Sequence, residues 1–362
     1  MKSYFENLIL QYKKIRERLM DEESARLFDA RVEYAITGDW ERVKKIFFIP
    51  EKDWRCAELE SFLKKFPDRK DIVLFGAGKV GKETKQYLEA CGYNPACFCD
   101  NHAIENQVDG IPVISVDDFM ENYKNAVIII CSLLYRKEMY CQLLEKGCCA
   151  KRILLPAGNR IQTHCGRQYF DMFTPGKRET FVDAGGFDGS TIEDFYVWLG
   201  EGKYGKCFSM EPVPEMYNRI VERKRKEGWQ DVTVCNCAVW DKEEAVFLTK
   251  DQKENDVIWG GSCVGDTGDS KVCGKTIDEI CMGEGEPVTF IKMDVEGSEL
   301  KALKGAKNII TQQKPRLAIS IYHKPLDVFE IPDYILSLVP EYKMYIRQYA
   351  SDFTETVLYA EV

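Results

Sequence analysis

The segment of residues 180–191 constrains the fold of this chain more than any other. It reads Thr-Phe-Val-Asp-Ala-Gly-Gly-Phe-Asp-Gly-Ser-Thr, so a short apolar strand ends at an acid, passes through three glycines and enters a helix. Glycines at such a turn allow unusual backbone angles and let the backbone approach a ligand closely. The pattern predicts an α/β domain with a nucleotide-type cofactor loop, although a glycine-rich turn can also serve only to reverse the chain. The candidate cofactor-binding residues of this loop are Asp183, Gly185, Gly186, Gly189 and Thr191.

The composition is that of a globular protein rather than a disordered or membrane-embedded one. Hydrophobic residues make up 45% and charged residues 30% of the 362 residues, and this length predicts at least two domains. No apolar run approaches membrane-spanning length and residues 1–18 lack a signal-peptide core, so we expect a cytoplasmic protein without a membrane partner. The formal net charge of −9 argues against nucleic acid as a partner, because phosphate binding depends on clustered Lys and Arg.

The cysteines do not form a recognisable framework. There are 15 of them, an odd number, and they are scattered along the chain. No pair has the C-x-x-C spacing of a structural zinc site. We therefore expect reduced thiols and no cysteine-based metal site.

Residues 1–68 form a predicted helical N-terminal segment. Apolar residues recur there at spacings of three and four among many charges, which is typical of amphipathic helices. The segment contains no catalytic cluster. It is expected to be a structural or oligomerising cap, and its amphipathic helices would suit a homodimer.

Residues 69–158 are predicted to form a smaller, Rossmann-like parallel α/β module. Strands are expected at 72–75, 96–99, 111–114 and 127–130. The first is followed by Gly-Ala-Gly-Lys-Val-Gly and the second by an acid, where a dinucleotide fold places a ribose-binding carboxylate. The module resembles the small nucleotide-binding modules of sugar-modifying acyltransferases, which implies nucleotide-sugar binding; a degenerate module kept for packing or substrate presentation is the alternative. Its candidate second nucleotide site comprises Gly76, Gly78, Gly81 and Asp100.

Residues 165–362 are predicted to form a larger α/β domain with acids at several strand ends. The strand 206–210 ends at Glu211, whose carboxylate suits the two hydroxyls of a ribose, although a surface acid before a proline is the simpler explanation for that residue alone. A third strand is expected over 232–240, with its end beside a bound base. The strand 289–293 runs into further acids, at the sheet edge where ligands gather in open α/β folds. The additional cofactor candidates are Asn236, Ala238 and Asp241.

Taken together, spaced motifs over about residues 177–350 resemble the FkbM-type S-adenosylmethionine-dependent methyltransferases. The resemblance implies a Rossmann-like class I methyltransferase domain, in which a mostly parallel seven-stranded sheet has an antiparallel edge, and S-adenosylmethionine as the cofactor. Family members typically have Gly-Ala-Asn where this chain has Gly-Gly-Phe at 185–187. The motifs are Phe-Val-Asp-Ala-Gly-Gly-Phe-Asp-Gly-Ser-Thr at 181–191, Met-Glu-Pro at 210–212, Ala-Val-Trp-Asp at 238–241, Lys-Thr-Ile-Asp-Glu-Ile at 275–280, Ile-Lys-Met-Asp-Val-Glu-Gly-Ser-Glu at 291–299, Ile-Tyr-His-Lys-Pro at 321–325 and Tyr-Lys-Met-Tyr-Ile-Arg-Gln-Tyr at 342–349.

The implied reaction is methylation of a hydroxyl on a sugar or small molecule, including a nucleotide-linked sugar. It requires alignment of the reacting atoms and a destination for the acceptor proton. The catalytic candidates are His323, Asp294, Glu296 and Lys292. His323 is the candidate general base, with a purely structural histidine as the alternative. Asp294 and Glu296 have several possible roles: they would orient His323, bind the acceptor, or hold a divalent cation, which the reaction does not require. The alternative is that they only cap the next helix. Lys292 would pair with one of these two acids.

Residues 250–274 are interpreted as a loop, either a lid over the acceptor or a surface excursion. Two other functions remain open. The first is an oxidoreductase or epimerase that binds a nicotinamide cofactor in the module at 69–158, although that module lacks a Tyr-x-x-x-Lys pair near its loop. The second is a non-catalytic protein that binds a nucleotide ligand.

Overall fold

The structure is a computed structural model of the chain. It divides into two compact units, one formed by Met1–Phe47 together with Cys165–Val362, and the other by Phe48–His164. The predicted boundaries at 158 and 165 fall outside the described residues. The structure describes residues 2–47, 54–102, 106–123, 125–132, 135–155, 168–249, 263–265, 267–283, 285–350 and 353–362.

Helices and strands alternate through most of the described chain. The helices are α1 (Lys2–Arg16), α2 (Glu22–Thr37), α3 (Trp40–Phe47), α4 (Trp54–Leu63), α5 (Lys79–Ala90), α6 (Val116–Asn122), α7 (Arg136–Glu145), α8 (Ser190–Leu199), α9 (Pro214–Glu227), α10 (Ile277–Cys281), α11 (Glu299–Lys304), α12 (Lys307–Gln313) and α13 (Asp327–Leu338). The strands are β1 (Ile72–Phe75), β2 (Cys97–Cys99), β3 (Gln107–Val108), β4 (Ile111–Ile114), β5 (Val127–Ile130), β6 (Ile153–Leu154), β7 (Arg178–Ala184), β8 (Tyr204–Met210), β9 (Val232–Cys235), β10 (Ala238–Val239), β11 (Glu244–Thr249), β12 (Cys263–Gly265), β13 (Ser270–Lys275), β14 (Phe290–Met293), β15 (Arg316–Ser320), β16 (Lys343–Gln348) and β17 (Thr356–Glu361).

A seven-stranded sheet organises the unit formed by Met1–Phe47 and Cys165–Val362. Its strand order is β16-β17-β15-β14-β7-β8-β9. The neighbours from β15 through β9 pair in parallel, whereas β17 pairs antiparallel with both β15 and β16. The predicted mostly parallel sheet with an antiparallel edge is confirmed.

The central strands of this sheet are buried on both faces. Every residue of β14 is buried, as is every residue of β7 after the first. This burial explains why neither strand shows a regular alternation of apolar and polar residues. Three charged residues are buried within these strands, Glu179 and Asp183 in β7 and Lys292 in β14.

The first three helices belong to the same unit as the seven-stranded sheet. Leu19 forms a parallel bridge with Met344 of β16, and the backbone N–H of Ile346 donates to Oγ of Ser24 at 2.9 Å. The chain start therefore covers the edge strand β16. The sequence places the first boundary at residue 68, whereas the compact units divide after Phe47, because α1 to α3 pack on elements far away in sequence.

A second sheet lies in the same unit and corrects two sequence-based predictions. Its order is β10-β13-β11-β12. The strand expected over 232–240 is divided: β9 ends at Cys235 in the main sheet, and β10 pairs in parallel with β13. The loop expected over 250–274 contains β12 and most of β13, since both pair with the strand β11. Residues 250–262, with the expected lid segment, lie outside the described residues.

The unit Phe48–His164 is built on a six-stranded sheet with the order β3-β4-β2-β1-β5-β6. All its neighbours pair in parallel except β3 and β4. The four strands expected in this region are therefore present. Nucleotide binding by the unit stays a prediction.

Two further features concern the state of the cysteines and the absence of membrane-spanning helices among the described residues. Twelve cysteines are free thiols, namely Cys91, Cys97, Cys99, Cys131, Cys141, Cys148, Cys149, Cys207, Cys235, Cys237, Cys273 and Cys281. Among the described helices, none combines the length and the apolar character needed to cross a membrane.

Candidate active site

The glycine loop follows β7 and is packed against the end of β14. Gly185 has a φ of +82°, and a Cβ on it would lie 1.9 Å from the backbone oxygen of Asp294. A Cβ on Gly186 would lie 2.2 Å from Oγ of Ser209. Both positions therefore require glycine for packing inside the unit. Gly189, with a φ of +82°, begins helix α8 in the left-handed region.

Phe187 is one of the two residues, with Gly186, at which this loop departs from the family pattern. Its φ is +48°, in the left-handed region that Asn tolerates better than most residues. The Asn that family members typically have at this position would suit the same backbone. Phe187 keeps the turn, because its N–H donates to Oε2 of Glu211 at 2.8 Å.

Glu211 lies directly after β8, next to the glycine loop. Its Oε1 accepts from the backbone N–H of Val213 at 2.9 Å, while Phe187 donates to Oε2. Burial raises the pKa of Glu211 to about 7, although these two hydrogen bonds act in the opposite direction. Each carboxylate oxygen has a second lone pair, so the group retains acceptor capacity for a ligand.

Asp183 makes its contacts inside the unit. Its side chain is 0% exposed; Oδ1 lies 3.1 Å from Nζ of Lys292, and Oδ2 accepts from Oγ of Ser209 at 3.1 Å. Burial raises its pKa, and Lys292 opposes that rise. Lys292 also donates to the backbone oxygen of Gly185 at 2.6 Å. The sequence expected Lys292 to pair with Asp294 or Glu296, but the ion pair is with Asp183.

The remaining cofactor candidates lie partly near the glycine loop and partly in or beside the second sheet. Asn236 donates from Nδ2 to the backbone oxygen of Glu211 at 2.8 Å, so it joins the ends of β8 and β9. Thr191 is buried in helix α8. Ala238 lies in the second sheet, and Oδ2 of Asp241 lies 3.7 Å from Nζ of Lys301 on α11. The structure therefore brings Asn236 to Glu211, whereas the ion pair with Lys301 places Asp241 beside α11.

Asp294 stands at the carboxyl end of β14 and is held by two phenols. Its Oδ2 accepts from the hydroxyl of Tyr169 at 2.7 Å, and its Oδ1 accepts from the hydroxyl of Tyr322 at 3.3 Å. Burial opposes its negative charge, but His323, Lys292 and the bond from Tyr169 outweigh burial and lower its pKa. Asp294 is therefore ionised at neutral pH.

His323 follows β15 and faces three carboxyl groups. Its Nδ1 lies 2.8 Å from Oε1 of Glu299, and its Nε2 lies 3.5 Å from Oδ1 of Asp294 and 3.4 Å from Oε2 of Glu296. Burial lowers the pKa of the imidazole, but the close Glu299 and the other two acids raise it to about 9. Without a bound cation the ring is thus protonated at neutral pH, whereas a general base must begin neutral. A role for His323 as the base stays a prediction that requires prior loss of this proton.

Glu296 is the most accessible acid of this group, with a side chain 34% exposed. Its φ of +52° places it in the left-handed region, immediately before Gly297. Such strain in a residue with a side chain is typical of functional loops. Burial raises the pKa of Glu296 to about 7, and His323 opposes that rise. This value suits proton transfer near neutral pH.

Three residues of the site were not assigned from the sequence. Glu299 accepts from the N–H groups of Val295 and Gly297, so it binds the turn that Asp294 and Glu296 were expected to cap. Glu299 and Tyr322 both lie within recognised motifs, which could have identified them. Tyr169 lies outside every motif and is brought to Asp294 only by the tertiary fold.

The second glycine loop lies in the unit Phe48–His164. A Cβ on Gly81 would lie 2.0 Å from the backbone oxygen of Gly76, so Gly81 is required for close packing of α5 on the loop. No other described residue lies within 4 Å of a Cβ built on Gly78. The carboxylate of Asp100 accepts from the N–H groups of Ala77 and His102, both at 2.8 Å. Asp100 therefore binds its own loop, which does not favour its assignment as a ribose ligand of a nicotinamide cofactor.

Comparison with known proteins identifies the larger domain. Residues 183–350 match the family model of the methyltransferase FkbM domain, and the resemblance found in the sequence is confirmed over these residues. No curated protein matches the chain.

Solved structures of methyltransferases match this chain at low sequence identity and low TM-score. The methyltransferase FkbM from Methylobacillus flagellatus KT is 20% identical, with a TM-score of 0.44, over 92% of this chain and 98% of its own. An rRNA methylase from Streptococcus thermophilus is 13% identical, with a TM-score of 0.35, over 55% of this chain and 94% of its own. Fibrillarin from Aeropyrum pernix, solved with natively bound S-adenosyl-L-methionine, is 11% identical, with a TM-score of 0.33, over 56% of this chain and 76% of its own.

Proposed function

Because residues 183–350 carry a methyltransferase FkbM domain, we propose that this chain transfers a methyl group from S-adenosylmethionine to a hydroxyl of a sugar or another small molecule. The observation that carries the proposal is the position of Glu211 beside the glycine loop. A carboxylate at the end of the second strand, next to a glycine turn at the end of the first, suits the ribose of a nucleoside ligand.

The residues around the loop fit S-adenosylmethionine. Glu211 is fixed by Phe187 and Val213 through one oxygen each, and the second lone pairs remain for the ribose hydroxyls. Asn236 fixes the backbone of Glu211 from the neighbouring strand. Lys292 pairs with Asp183 and donates to the backbone oxygen of Gly185, so this pair fixes the start of the loop. When bound, S-adenosylmethionine supplies a methyl group on a positively charged sulfur, which leaves with the electron pair of the broken bond.

The acids after β14 supply the destination for the acceptor proton. As the hydroxyl oxygen bonds to the methyl carbon, its proton passes to the carboxylate of Glu296. Burial raises the pKa of Glu296 to about 7, so this carboxyl exchanges a proton readily at neutral pH. Asp294 remains ionised and is held by Tyr169 and Tyr322, so it can accept a hydrogen bond from the acceptor hydroxyl.

Calorimetric titration of the full chain with S-adenosylmethionine tests the proposal. We expect saturable binding that Glu211→Ala weakens by at least about tenfold, because the charge-assisted bonds of a carboxylate are among the stronger ones. Glu215→Ala is the matched control, since Glu215 is exposed in the first turn of α9. Its affinity should equal that of the wild type.

A parallel titration with NAD addresses the oxidoreductase alternative. Gly78→Asp introduces a carboxylate into the second loop at a position where a Cβ meets no described residue within 4 Å apart from its neighbours in the chain. Binding of NAD alone, lost in Gly78→Asp, would overturn the proposal. Binding of S-adenosylmethionine that survives Gly78→Asp supports it and justifies an acceptor screen that begins with nucleotide-sugars.

A further inference from the structure

We infer that Asp294, Glu299 and His323 form a binding site for a divalent metal ion at the carboxyl end of β14. The site adjoins the glycine loop, because a Cβ on Gly185 would touch the backbone oxygen of Asp294. The inference rests on the proposed function only for the use made of the ion. Binding of the ion itself requires no methyl transfer.

The geometry of the three side chains carries the first step. Each offers one ligand atom, and these atoms all lie within 4.8 Å of one another. Ligands bound at about 2.1 Å lie at most about 4.2 Å apart, so small side-chain rotations would close the set around an ion. His323 approaches the two acids with different ring nitrogens, Nδ1 at 2.8 Å from Oε1 of Glu299 and Nε2 at 3.5 Å from Oδ1 of Asp294, and one of these nitrogens would bind the ion.

Unsatisfied atoms supply an independent observation. The side chain of Glu299 is 0% exposed, and its Oε2 makes no hydrogen bond to any described residue. The side chain of His323 is 10% exposed, and neither ring nitrogen makes a hydrogen bond of acceptable angle within the described chain, despite the short distance from Nδ1 to Glu299. Buried polar atoms without partners are rare and call for an explanation, and a bound ion is one.

An ion pair between His323 and the acids, without a metal ion, explains fewer of these observations. A protonated His323 among the three carboxyl groups would account for the short distances. It would leave Oε2 of Glu299 buried without a partner, which is costly for an acceptor. A cation that takes one lone pair from each ligand would satisfy Oε2 of Glu299 and one ring nitrogen of His323.

The ligand set indicates the class of ion. Carboxylates suit Mg²⁺ and Mn²⁺, whereas imidazole suits the transition metals. Mn²⁺ accepts both types of ligand. Glu296 lies outside this ligand group.

The test uses the full chain stripped of metal with a chelator and titrated with Mn²⁺. The amplitude of the six-line electron paramagnetic resonance spectrum reports free Mn²⁺. We expect one tight site, weakened at least about tenfold in Glu299→Gln and in His323→Gln, since each loses a ligand. Glu330→Gln, an exposed acid on α13, is the matched control and should bind like the wild type. Near-ultraviolet circular dichroism verifies that each variant is folded.

A second measurement needs no variant. Electron spin echo modulation of the wild-type complex should show a coordinated imidazole nitrogen, because His323 is the one histidine in the proposed ligand set. Absence of that nitrogen signal, absence of Mn²⁺ binding, or equal affinity in all four proteins would each overturn the inference.

Titration of the same samples with S-adenosylmethionine separates the two proposals. A wild type that binds S-adenosylmethionine but not Mn²⁺ contradicts the metal site alone. A wild type that binds Mn²⁺ at this site but not S-adenosylmethionine contradicts the proposed function alone.

Discussion

Nζ of Lys292 lies 3.1 Å from Oδ1 of Asp183, and both side chains are buried, at 3% and 0% exposure. The two residues are direct neighbours across the parallel strands β14 and β7. Lys292 also donates to the backbone oxygen of Gly185. The pair therefore fixes the backbone of the first glycine of the loop.

Removal of Lys292 should destabilise the fold strongly. Lys292→Met leaves the charge of Asp183 buried without its partner, and such losses cost about 3 to 5 kcal/mol. Chemical denaturation measures the change in unfolding free energy. The control is Lys301→Met, whose ammonium forms a partly exposed pair with Asp241 and should contribute less than about 1 kcal/mol.

The double variant Asp183→Asn with Lys292→Met completes a cycle. An amide at position 183 can still bond to Ser209, so part of the lost stability should return, and the coupling should lie at about 1 to 3 kcal/mol. Purely additive effects would show that the two groups do not interact.

Gly185→Ala should destabilise far more than a glycine replacement in open space. The new Cβ would lie 1.9 Å from the backbone oxygen of Asp294, at a φ of +82°. Steric overlap and the left-handed backbone together should cost about 3 kcal/mol or more. Gly228 also has a positive φ, of +70°, but a Cβ on it would lie within 4 Å of no other described residue. Gly228→Ala therefore measures the backbone contribution alone, which should lower the unfolding free energy by about 1 kcal/mol. Equal losses in urea denaturation would contradict the packing argument.

The stability contribution of Glu211 should depend on pH in the direction set by its raised pKa. Burial raises the pKa from 4.5 to about 7, so the folded state favours the protonated form. The favourable contribution of Glu211 to the unfolding free energy is complete below the pKa that this residue has in the unfolded chain. It is lost as the pH rises through the higher pKa that Glu211 has in the folded protein. Relative to Glu211→Gln, the wild type should therefore lose up to about 3 kcal/mol of unfolding free energy between about pH 5 and pH 8.

The measurement is chemical denaturation of both proteins across this range, with Glu215→Gln as an exposed control. The wild type and the control should change in parallel. A difference between the wild type and Glu211→Gln that stays constant with pH would show that Glu211 has an ordinary pKa.

Two glycines of the second loop should respond differently to alanine. A Cβ on Gly81 would lie 2.0 Å from the backbone oxygen of Gly76, so Gly81→Ala should cost about 2 kcal/mol or more. Gly78→Ala should be nearly neutral, because no other described residue lies within 4 Å. Hydrogen exchange in peptides covering β1 and β5 measures the local stability. Similar protection in both variants would mean that the loop shifts to admit the Cβ of Gly81.

The strands and their ends were predictable because their signals are local. The strands β7 and β14 are buried on both faces apart from the first residue of β7, and acids follow β8 and β14 immediately in sequence. Parallel strands bring such ends to one edge. The spaced motifs then sufficed to identify the methyltransferase domain that the family match confirms.

What the sequence did not show depends on contacts between distant residues. Tyr169 reaches Asp294 across 125 positions, and no periodicity records such a contact. The partner of Lys292 was predicted wrongly for a similar reason, since strand register, and not sequence proximity, places it beside Asp183. The acceptor, the homodimer and the cytoplasmic location stay predictions.

The packing of α1 to α3 on the C-terminal strands determines when this protein can fold during synthesis. The hydroxyl of Ser24 accepts a hydrogen bond from the N–H of Ile346. The first helices therefore cannot complete their packing until residues more than three hundred positions later have left the ribosome. The unit Phe48–His164 contains all of its own strands and can close long before. We therefore expect the inserted unit to fold first, while the exposed apolar faces of the early helices are the segment most dependent on chaperones.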